Sequence, residues 1–371
     1  MRSVHTIRLS LTLTTLALSG CFGGGDSGGD DSSVGRLNYN GFSGLSYQTA
    51  SQAGTISEQG EFRYYPGETL SFRVGNLAVI DGVPAQKYVT PLEFFPDVRS
   101  ALTSPAVDEE GLSTHTITEQ QLLDDVSLMN LTRFLISLNW TENVREGEGI
   151  EIRDRVVNQL NKALPGLTAP IDFNVSEAEF TALGDTPSPA NQLLAAICFY
   201  PEDDELCEDP PTHEEISNAP PRPENDDDRD PDIEYSEDLQ ARRDRILESI
   251  RSLEDIDSND AQTYLTRELR AISTAVANRF YLDEDVASHS ASETEIKTVT
   301  IRRIAGSPEV AELEAISTRP GDVTIHATDW QEADVEYFVS GEAGGESELL
   351  LSFQPENTYR WVRKQLRVII R

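Results

Sequence analysis

The chain has 371 residues, with 65 acidic against 30 basic side chains and a formal net charge of −35. A surface this acidic repels nucleic acid and anionic headgroups, which argues against both as partners. Its simplest role is solubility where salt screens self-repulsion, so we expect a marine or halotolerant bacterial source. Hydrophobic residues make up 38% of the chain, enough for two or three packed domains at this length.

The first 21 residues predict export and lipidation. Arg2 and Arg8 precede an apolar run over 9–20 that ends at a small-residue step, the layout of a secretory signal peptide. The run is shorter than the roughly 20 residues that a membrane span needs. Leu18-Ser19-Gly20-Cys21 resembles the lipobox of bacterial lipoproteins, in which the cysteine is acylated. We expect a lipoprotein signal peptide over 1–20 and a lipid on Cys21; the alternative is an ordinary secreted protein.

Residues 21–35 are mostly Gly, Ser and Asp and predict a flexible tether between the membrane and the first domain. In bacterial lipoproteins an Asp directly after the acylated cysteine retains the protein at the inner membrane. Phe22 stands at that position here. The resemblance therefore implies an outer-membrane lipoprotein that is exposed to the periplasm or the cell surface.

The two remaining cysteines, Cys198 and Cys207, are nine residues apart. In an exported chain the default for such a pair is a local disulfide, and two free thiols are the alternative. A redox role is not expected, because the C-x-x-C spacing is absent from the sequence.

Residues 36–200 predict a small β-sandwich-like module followed by helices. Apolar residues alternate with polar ones from 36 to about 95, as in Leu70, Phe72 and Val74, and glycines or prolines interrupt the runs. Helices are predicted from capping signals or apolar spacing at Thr118, at about Ile150, at Ser176 and at Ser188. Their apolar stripes indicate core, and none shows convergent polar residues.

The second half of the chain predicts a linker, a helical hairpin and a second β domain. Residues 201–235 hold 15 acids and seven prolines, which indicates an unpacked acidic linker. Residues 236–285 carry two amphipathic stripes and predict an antiparallel helical hairpin whose apolar faces need another surface. Residues 292–371 alternate again in about six strands, typical of an antiparallel Ig-like β-sandwich. The predicted class is therefore α+β and multidomain.

The C-terminal strand reverses the local sign of charge. It carries Arg360, Arg363, Lys364, Arg367 and Arg371. We expect these side chains to pair with the protein's own acids or to protect an edge strand from aggregation. A docking surface for an anionic partner is the sharper alternative.

One acidic run has the spacing of a metal site. Asp226, Asp228, Asp230, Asp232, Glu234 and Glu237 fall at the ligand positions of an EF-hand-like calcium loop. Pro231 occupies the position where the sharp turn of that loop needs glycine, and no helix is predicted to enter it. A solvated acidic linker is therefore the main interpretation, and a calcium site is the alternative.

Outside the Gly-rich stretch 23–29, which belongs to the predicted tether, the sequence contains no G-x-S-x-G, S-x-x-K, Walker A or G-x-G-x-x-G motif. His213-Glu214-Glu215 begins like a zincin helix, but Ser217 replaces the second histidine. No cofactor and no enzymatic activity are expected.

Several segments resemble one group of lipoproteins from marine bacteria, labelled "organic solvent ABC transporter permease". They are 37–39, 44–49, the run YYPGETLSFRVG over 64–75, 88–95 and 130–135. A permease needs several spans of about 20 apolar residues, and the longest apolar run after the signal is 193–200. The resemblance therefore implies an accessory or solute-handling lipoprotein.

Three functions are open from the sequence. The first is a non-enzymatic, outer-membrane-anchored envelope protein with binding surfaces, with an envelope protein as one partner. The second is a periplasmic accessory of a transport system for hydrophobic compounds, which predicts a deep apolar pocket between the N-terminal sheet and its helices. The third is a hydrolase, which predicts a buried carboxylate pair in a cleft.

Overall fold

The structure, a computed structural model, describes residues 32–141 and 144–371. The predicted signal peptide, Cys21 and the tether up to residue 31 lie outside this range. Strands predominate up to residue 89 and from residue 280 on, and helices predominate between them, as the predicted α+β class requires. None of the helices in the described part combines the length and the apolar character needed to span a bilayer.

Two small sheets and two further two-stranded pairs form the strands of the N-terminal part. The strands are β1 (Ser33–Leu37), β2 (Phe42–Ser43), β3 (Ser46–Gln48), β4 (Ala53–Thr55), β5 (Glu61–Tyr64), β6 (Thr69–Val74), β7 (Leu77–Pro84), β8 (Tyr88–Val89), β9 (Ala106–Val107), β10 (Ser113–Thr114) and β11 (Ile150–Glu151). One sheet has the order β4-β3-β6-β7 and is antiparallel throughout. In the other, β1 lies between antiparallel β5 and parallel β8. The predicted alternation is confirmed in β6, where Leu70, Phe72 and Val74 are buried. Strand β1 begins inside the predicted tether.

The helices are α1 (Pro96–Leu102), α2 (Thr116–Leu122), α3 (Val126–Ser137), α4 (Asp154–Ala163), α5 (Glu177–Phe180), α6 (Pro189–Ala195), α7 (His213–Asn218), α8 (Ser236–Glu248) and α9 (Ser258–Ala277). The predicted caps Ser176 and Ser188 are confirmed, since each accepts a backbone N–H of its own helix. The helix predicted from Thr118 is instead two helices. Asp125 accepts the Leu128 N–H and starts α3, so the apolar stripe is broken there.

The expected disulfide joins Cys198 and Cys207, with Cα atoms 5.5 Å apart. The segment 201–235, expected to be unpacked, holds α7 and packs against α8. Arg242 pairs with Glu208, and Arg245 pairs with Glu205 at 2.7 Å. Basic residues of α8 thus neutralise part of the acidic segment, a contact that composition alone does not reveal.

The two helices of the predicted hairpin, α8 and α9, pack against different parts of the protein. Leu265 and Leu269 of α9 belong to the same hydrophobic core as the N-terminal strands and α1, α3, α4 and α6. The carboxylate of Glu268, with no exposed area, accepts hydrogen bonds from the Tyr39 and Asn40 N–H groups at 3.0 and 2.8 Å. Its other oxygen accepts the Asn40 side-chain amide at 2.6 Å. The N-terminal module therefore supplies the surface that the apolar face of α9 needs.

Two four-stranded sheets form the C-terminal part and enclose a second core. Its strands are β12 (Phe280–Leu282), β13 (Val286–His289), β14 (Lys297–Arg303), β15 (Val310–Ser317), β16 (Val323–Asp329), β17 (Asp334–Val339), β18 (Glu346–Pro355) and β19 (Val362–Ile370). The orders are β12-β14-β17-β16 and β13-β19-β18-β15, with only the β13–β19 pair parallel among these strands. Six strands follow residue 292, as many as predicted. The strand predicted at Tyr359 and Trp361 is instead part of the loop before β19, and β15 was not predicted. Phe280, expected on the helical face, instead begins β12.

We predict that Glu268→Gln lowers the free energy of unfolding by about 1–3 kcal/mol. A glutamine offers one acceptor oxygen, so its NH₂ group would face the donor of Asn40 and leave buried donors unpaired. Urea unfolding followed by circular dichroism measures the change. Glu248→Gln, an exposed site on α8, is the matched control and should leave stability within about 0.5 kcal/mol. Equal stability of both variants would contradict the anchoring role of Glu268.

Candidate functional site

A buried ion network joins the two halves of the described chain. Arg360, in the loop between β18 and β19, is 2% exposed. Its Nη2 lies 3.9 Å from Glu93 Oε1, and its Nε lies 3.7 Å from Glu119 Oε1. The guanidinium also lies over the Tyr359 ring, 4.4 Å from its centre. One cation of the C-terminal part is therefore held by two carboxylates of the N-terminal part.

Each carboxylate of this pair is fixed by its own neighbours. Glu93 Oε2 accepts the Thr90 N–H at 2.8 Å, together with the Thr90 hydroxyl, in a capping box. Glu93 Oε1 accepts the Gln86 amide at 2.9 Å. Glu119 Oε1 accepts the Tyr359 hydroxyl at 2.7 Å. The absence of convergent polar residues from the predicted helices is therefore a wrong expectation, since Glu119 of α2 points into this network.

His115 closes the network on the side of α9. Its Nδ1 accepts the Trp361 N–H at 2.9 Å, which leaves the proton on Nε2, 2.8 Å from the Ser273 hydroxyl. Burial, reinforced by the nearby charge of Arg360, lowers the pKa of His115 to about 3. Burial also raises the pKa of Glu119, against the opposing effects of Arg360 and Tyr359. At neutral pH the histidine is thus an uncharged hydrogen-bonding group.

Arg360 also lines a cleft of about 450 Å³ between the N-terminal strands, the end of α9 and the C-terminal sheets. This volume falls within the range of small-molecule sites, about 300–1,000 Å³. Its charged lining consists of four cationic residues and two acidic ones: Lys87, Arg279, Arg303, Arg360, Glu309 and Glu356. The cleft is therefore a local reversal of sign in a chain with a net charge of −35.

The positive charge in the cleft is only partly neutralised. Arg303 pairs with Glu309 at 2.7 Å. Among the described residues, Lys87 and Arg279 form no ion pair within 4.0 Å. Desolvation, followed by repulsion from Arg279, Arg303 and Arg36, lowers the pKa of Lys87. The buried Nε and Nη2 of Arg360 lie 3.7 Å from Glu119 and 3.9 Å from Glu93, so these two carboxylates compensate its charge. The unpaired charges of Lys87 and Arg279 favour a bound anion.

The residues of the predicted calcium loop lie around the start of α8. Glu237 Oε2 accepts the Arg222 N–H at 2.8 Å, and Asp230 Oδ1 accepts the Asp232 N–H at 3.0 Å. The side chain of Asp226 lies outside what the structure describes. Across 32–141 and 144–371, no three His, Cys, Asp or Glu side chains come together to hold a metal ion. The calcium site stays a prediction.

Three of the five basic residues predicted on the last strand pair with the protein's own acids, while Lys364 and Arg371 form no ion pair within 4.0 Å among the described residues. Arg360 lies in the loop before β19, and β19 lies between β13 and β18, so the expectation of an edge strand is wrong. Arg363 pairs with Asp108, Arg367 pairs with Glu346, and Arg360 lies between Glu93 and Glu119. The cleft was not predicted from the sequence, because Lys87, Arg279 and Arg303 come from separate segments. The one sequence signal for the cleft was the reversed charge at Arg360.

A scan against protein-family models finds no match, and a search of curated proteins finds none either. Two solved structures resemble part of the chain. Domains 4 and 5 of the S-layer protein SbsC share 13% identity over 24% of this chain and 50% of that one, with a TM-score of 0.20. Domains 1–6 of SbsC share 14% identity over 25% of this chain and 13% of that one, with a TM-score of 0.19. Likenesses this low carry no argument about fold or function.

We predict that His115→Gln flattens the dependence of stability on pH. The unfolded histidine binds a proton near pH 6.5, whereas the folded one stays neutral. The contribution of His115 to the free energy of unfolding is therefore complete above pH 6.5 and is lost as pH falls toward 3. Glu119, whose pKa is raised, has the opposite effect, because its contribution to the free energy of unfolding is lost as pH rises.

Between pH 7 and pH 5 the native protein should lose about 2 kcal/mol more of its unfolding free energy than His115→Gln loses. Urea titrations at a series of pH values measure the difference. His213→Gln, at an exposed site on α7, is the control and should follow the native curve. Identical slopes for all three proteins would show that His115 does not titrate as described.

Proposed function

We propose that this protein is a lipid-anchored outer-membrane envelope protein that binds a small anionic ligand in the cleft without converting it. The convergence of Lys87, Arg279, Arg303 and Arg360 carries the proposal. Acids outnumber bases about two to one in this chain, so four cations around one cavity are a marked local departure. The lipid on Cys21, the lipoprotein family resemblance and the Ig-like outline of the C-terminal sandwich belong to the same proposal.

The acidic remainder of the surface sharpens the selectivity of such a site. Anions are repelled from most of the protein, and this repulsion is long-ranged only where salt is low. Within the cleft, short-range contacts to guanidinium and ammonium groups outweigh it, because they act at hydrogen-bond distance. A protein of this kind would bind an anion in the cleft and repel anions from the rest of its surface.

The buried carboxylates support binding over hydrolysis. Glu93 and Glu119 form the buried pair that the hydrolase hypothesis predicts, but they lie beneath Arg360. Their oxygens accept hydrogen bonds from Thr90, Gln86 and Tyr359. Groups engaged in this way position the arginine and are poorly placed to exchange protons with a substrate.

The transport-accessory alternative predicted an apolar pocket between the N-terminal sheet and its helices. In the described structure that space is filled by aromatic side chains. Phe72 and Phe94 stack with ring centres 5.6 Å apart, and Phe62 meets Phe72 at 5.9 Å. The cleft over Arg360 is therefore the better-supported site.

We predict that Cys21→Ser moves the protein from the membrane fraction to the soluble envelope fraction or leaves it as an uncleaved precursor. The thiol is the proposed attachment point of the lipid, and serine cannot form the thioether. Fractionation and intact mass measurement test this, with native protein expected to lack residues 1–20 and to carry acyl mass. Cys198→Ser, which affects only the disulfide, is the control. An unacylated native protein that retains its initiator methionine would overturn the anchor.

We predict that Lys87→Gln/Arg279→Gln weakens binding of acetate and inorganic phosphate at least tenfold. Each lost cation removes a charge-assisted hydrogen bond, typically about 1.5–3 kcal/mol. Calorimetric titration of the full protein at low ionic strength is the measurement.

The matched control is Lys162→Gln/Arg145→Gln, which removes the same charge from exposed positions outside the cleft. It should bind both anions as the native protein does. Equal weakening in both double variants would indicate a general charge effect, and absence of saturable binding to native protein would contradict the proposed function.

A further inference from the structure

Besides its charged residues, the cleft is lined by apolar ones, which form its apolar wall. That wall consists of Pro66, Pro84, Ala85, Val276, Phe280 and Pro355. Proline rings and the packed Phe280 hold little conformational freedom, so this wall is already formed before any ligand arrives. A purely ionic ligand would leave it in contact with water, whereas an apolar chain would cover it.

The cationic side is suited to a compact acidic group. The guanidinium of Arg360 is fixed by Glu93, Glu119 and the Tyr359 ring and borders the cleft as a rigid cation. Among the described residues that line the cleft, Lys87 and Arg279 are cations without a carboxylate partner within 4.0 Å. A planar guanidinium binds carboxylate or phosphate oxygens in pairs, and the ammonium of Lys87 adds a mobile donor. The two sides together fit a molecule that is acidic at one end and apolar along its length.

The position of the cleft agrees with a ligand of this kind. Ser33, the first residue of β1, lies on its rim. The chain between Cys21 and Ser33 is 12 residues long and can span at most about 40 Å. If Cys21 carries the lipid, the cleft cannot leave the vicinity of the membrane surface.

We propose that the ligand is a single-chain acidic amphiphile, an alkyl chain ending in a carboxylate or a phosphate. This inference rests on the proposed function and adds the apolar half of the ligand. The acidic end contacts Lys87, Arg279 and Arg360, and the chain lies along Val276 and the proline-rich wall. The protein then holds such a molecule in the aqueous envelope with its chain shielded from water.

The test compares ligands that differ either in the length of the alkyl chain or in the polar end. The full lipoprotein in phosphatidylcholine nanodiscs is titrated with butyrate, octanoate, octyl phosphate and octylamine, and empty nanodiscs correct for partitioning. Each methylene that enters the cleft is worth about fourfold in affinity. Octanoate should therefore bind at least tenfold more tightly than butyrate. Octyl phosphate should bind as octanoate does, and octylamine should not bind.

Two variants separate the halves of the site. Lys87→Gln/Arg279→Gln should weaken octanoate and butyrate alike, because it removes contacts to the acidic end. Val276→Thr keeps the side-chain shape and adds a hydroxyl to the wall, so it should weaken octanoate about threefold and leave butyrate unchanged. Thermal unfolding of each variant without ligand checks that the fold is retained.

Crosslinking with a photoreactive fatty acid locates the alkyl chain of the ligand in the protein and compares delivery from solution with delivery from vesicles. Crosslinks should fall on 276–280 or on Pro355, whether the probe is supplied in solution or from vesicles. Crosslinks elsewhere, or equal affinity for octanoate and butyrate, would overturn the amphiphile while leaving anion binding in place. If neither butyrate nor octanoate binds the native protein, the proposed function itself fails.

Discussion

The fold depends on one buried cation, Arg360, held between Glu93 and Glu119. A guanidinium removed from water is costly unless charges and hydrogen bonds compensate it, and a buried ion pair often contributes little net stability. What such a group does supply is a defined geometry. The loop between β18 and β19 can deliver its arginine only where the two acids of the N-terminal part meet. The junction between the two cores is therefore set by electrostatics.

The same cation links architecture to the proposed binding role. Its Nε and Nη2 face Glu119 and Glu93, and the residue borders the cleft. Helix α9 contributes to both sides of this arrangement: Leu265 and Leu269 pack in the first core, while Val276 contacts the second and the cleft. The proposed binding site and the junction between the two cores thus share residues. A ligand in the cleft would add contacts across the boundary between the cores.

Local features of the fold could be predicted from the sequence, and long-range ones could not. The alternation of Leu70, Phe72 and Val74 and the caps Ser176 and Ser188 depend on neighbours along the chain, so the residues themselves encode them. The tyrosine–glutamate contact at the site joins residues 240 positions apart. With 65 acids in the chain, no pattern identifies which two meet Arg360. The disulfide was predictable because its loop is short and the third cysteine, Cys21, is expected to carry the lipid.

Strand β1 has a mechanical consequence for an anchored protein. It is the central strand of its sheet, paired with β5 on one side and β8 on the other, and it is the first element of the described residues, beginning within the proposed tether. A pull transmitted from the membrane would enter at Ser33 and run along the strand axis. The hydrogen bonds to both neighbours would then be loaded in shear and share the force, whereas a terminal strand pulled sideways would release its bonds one after another.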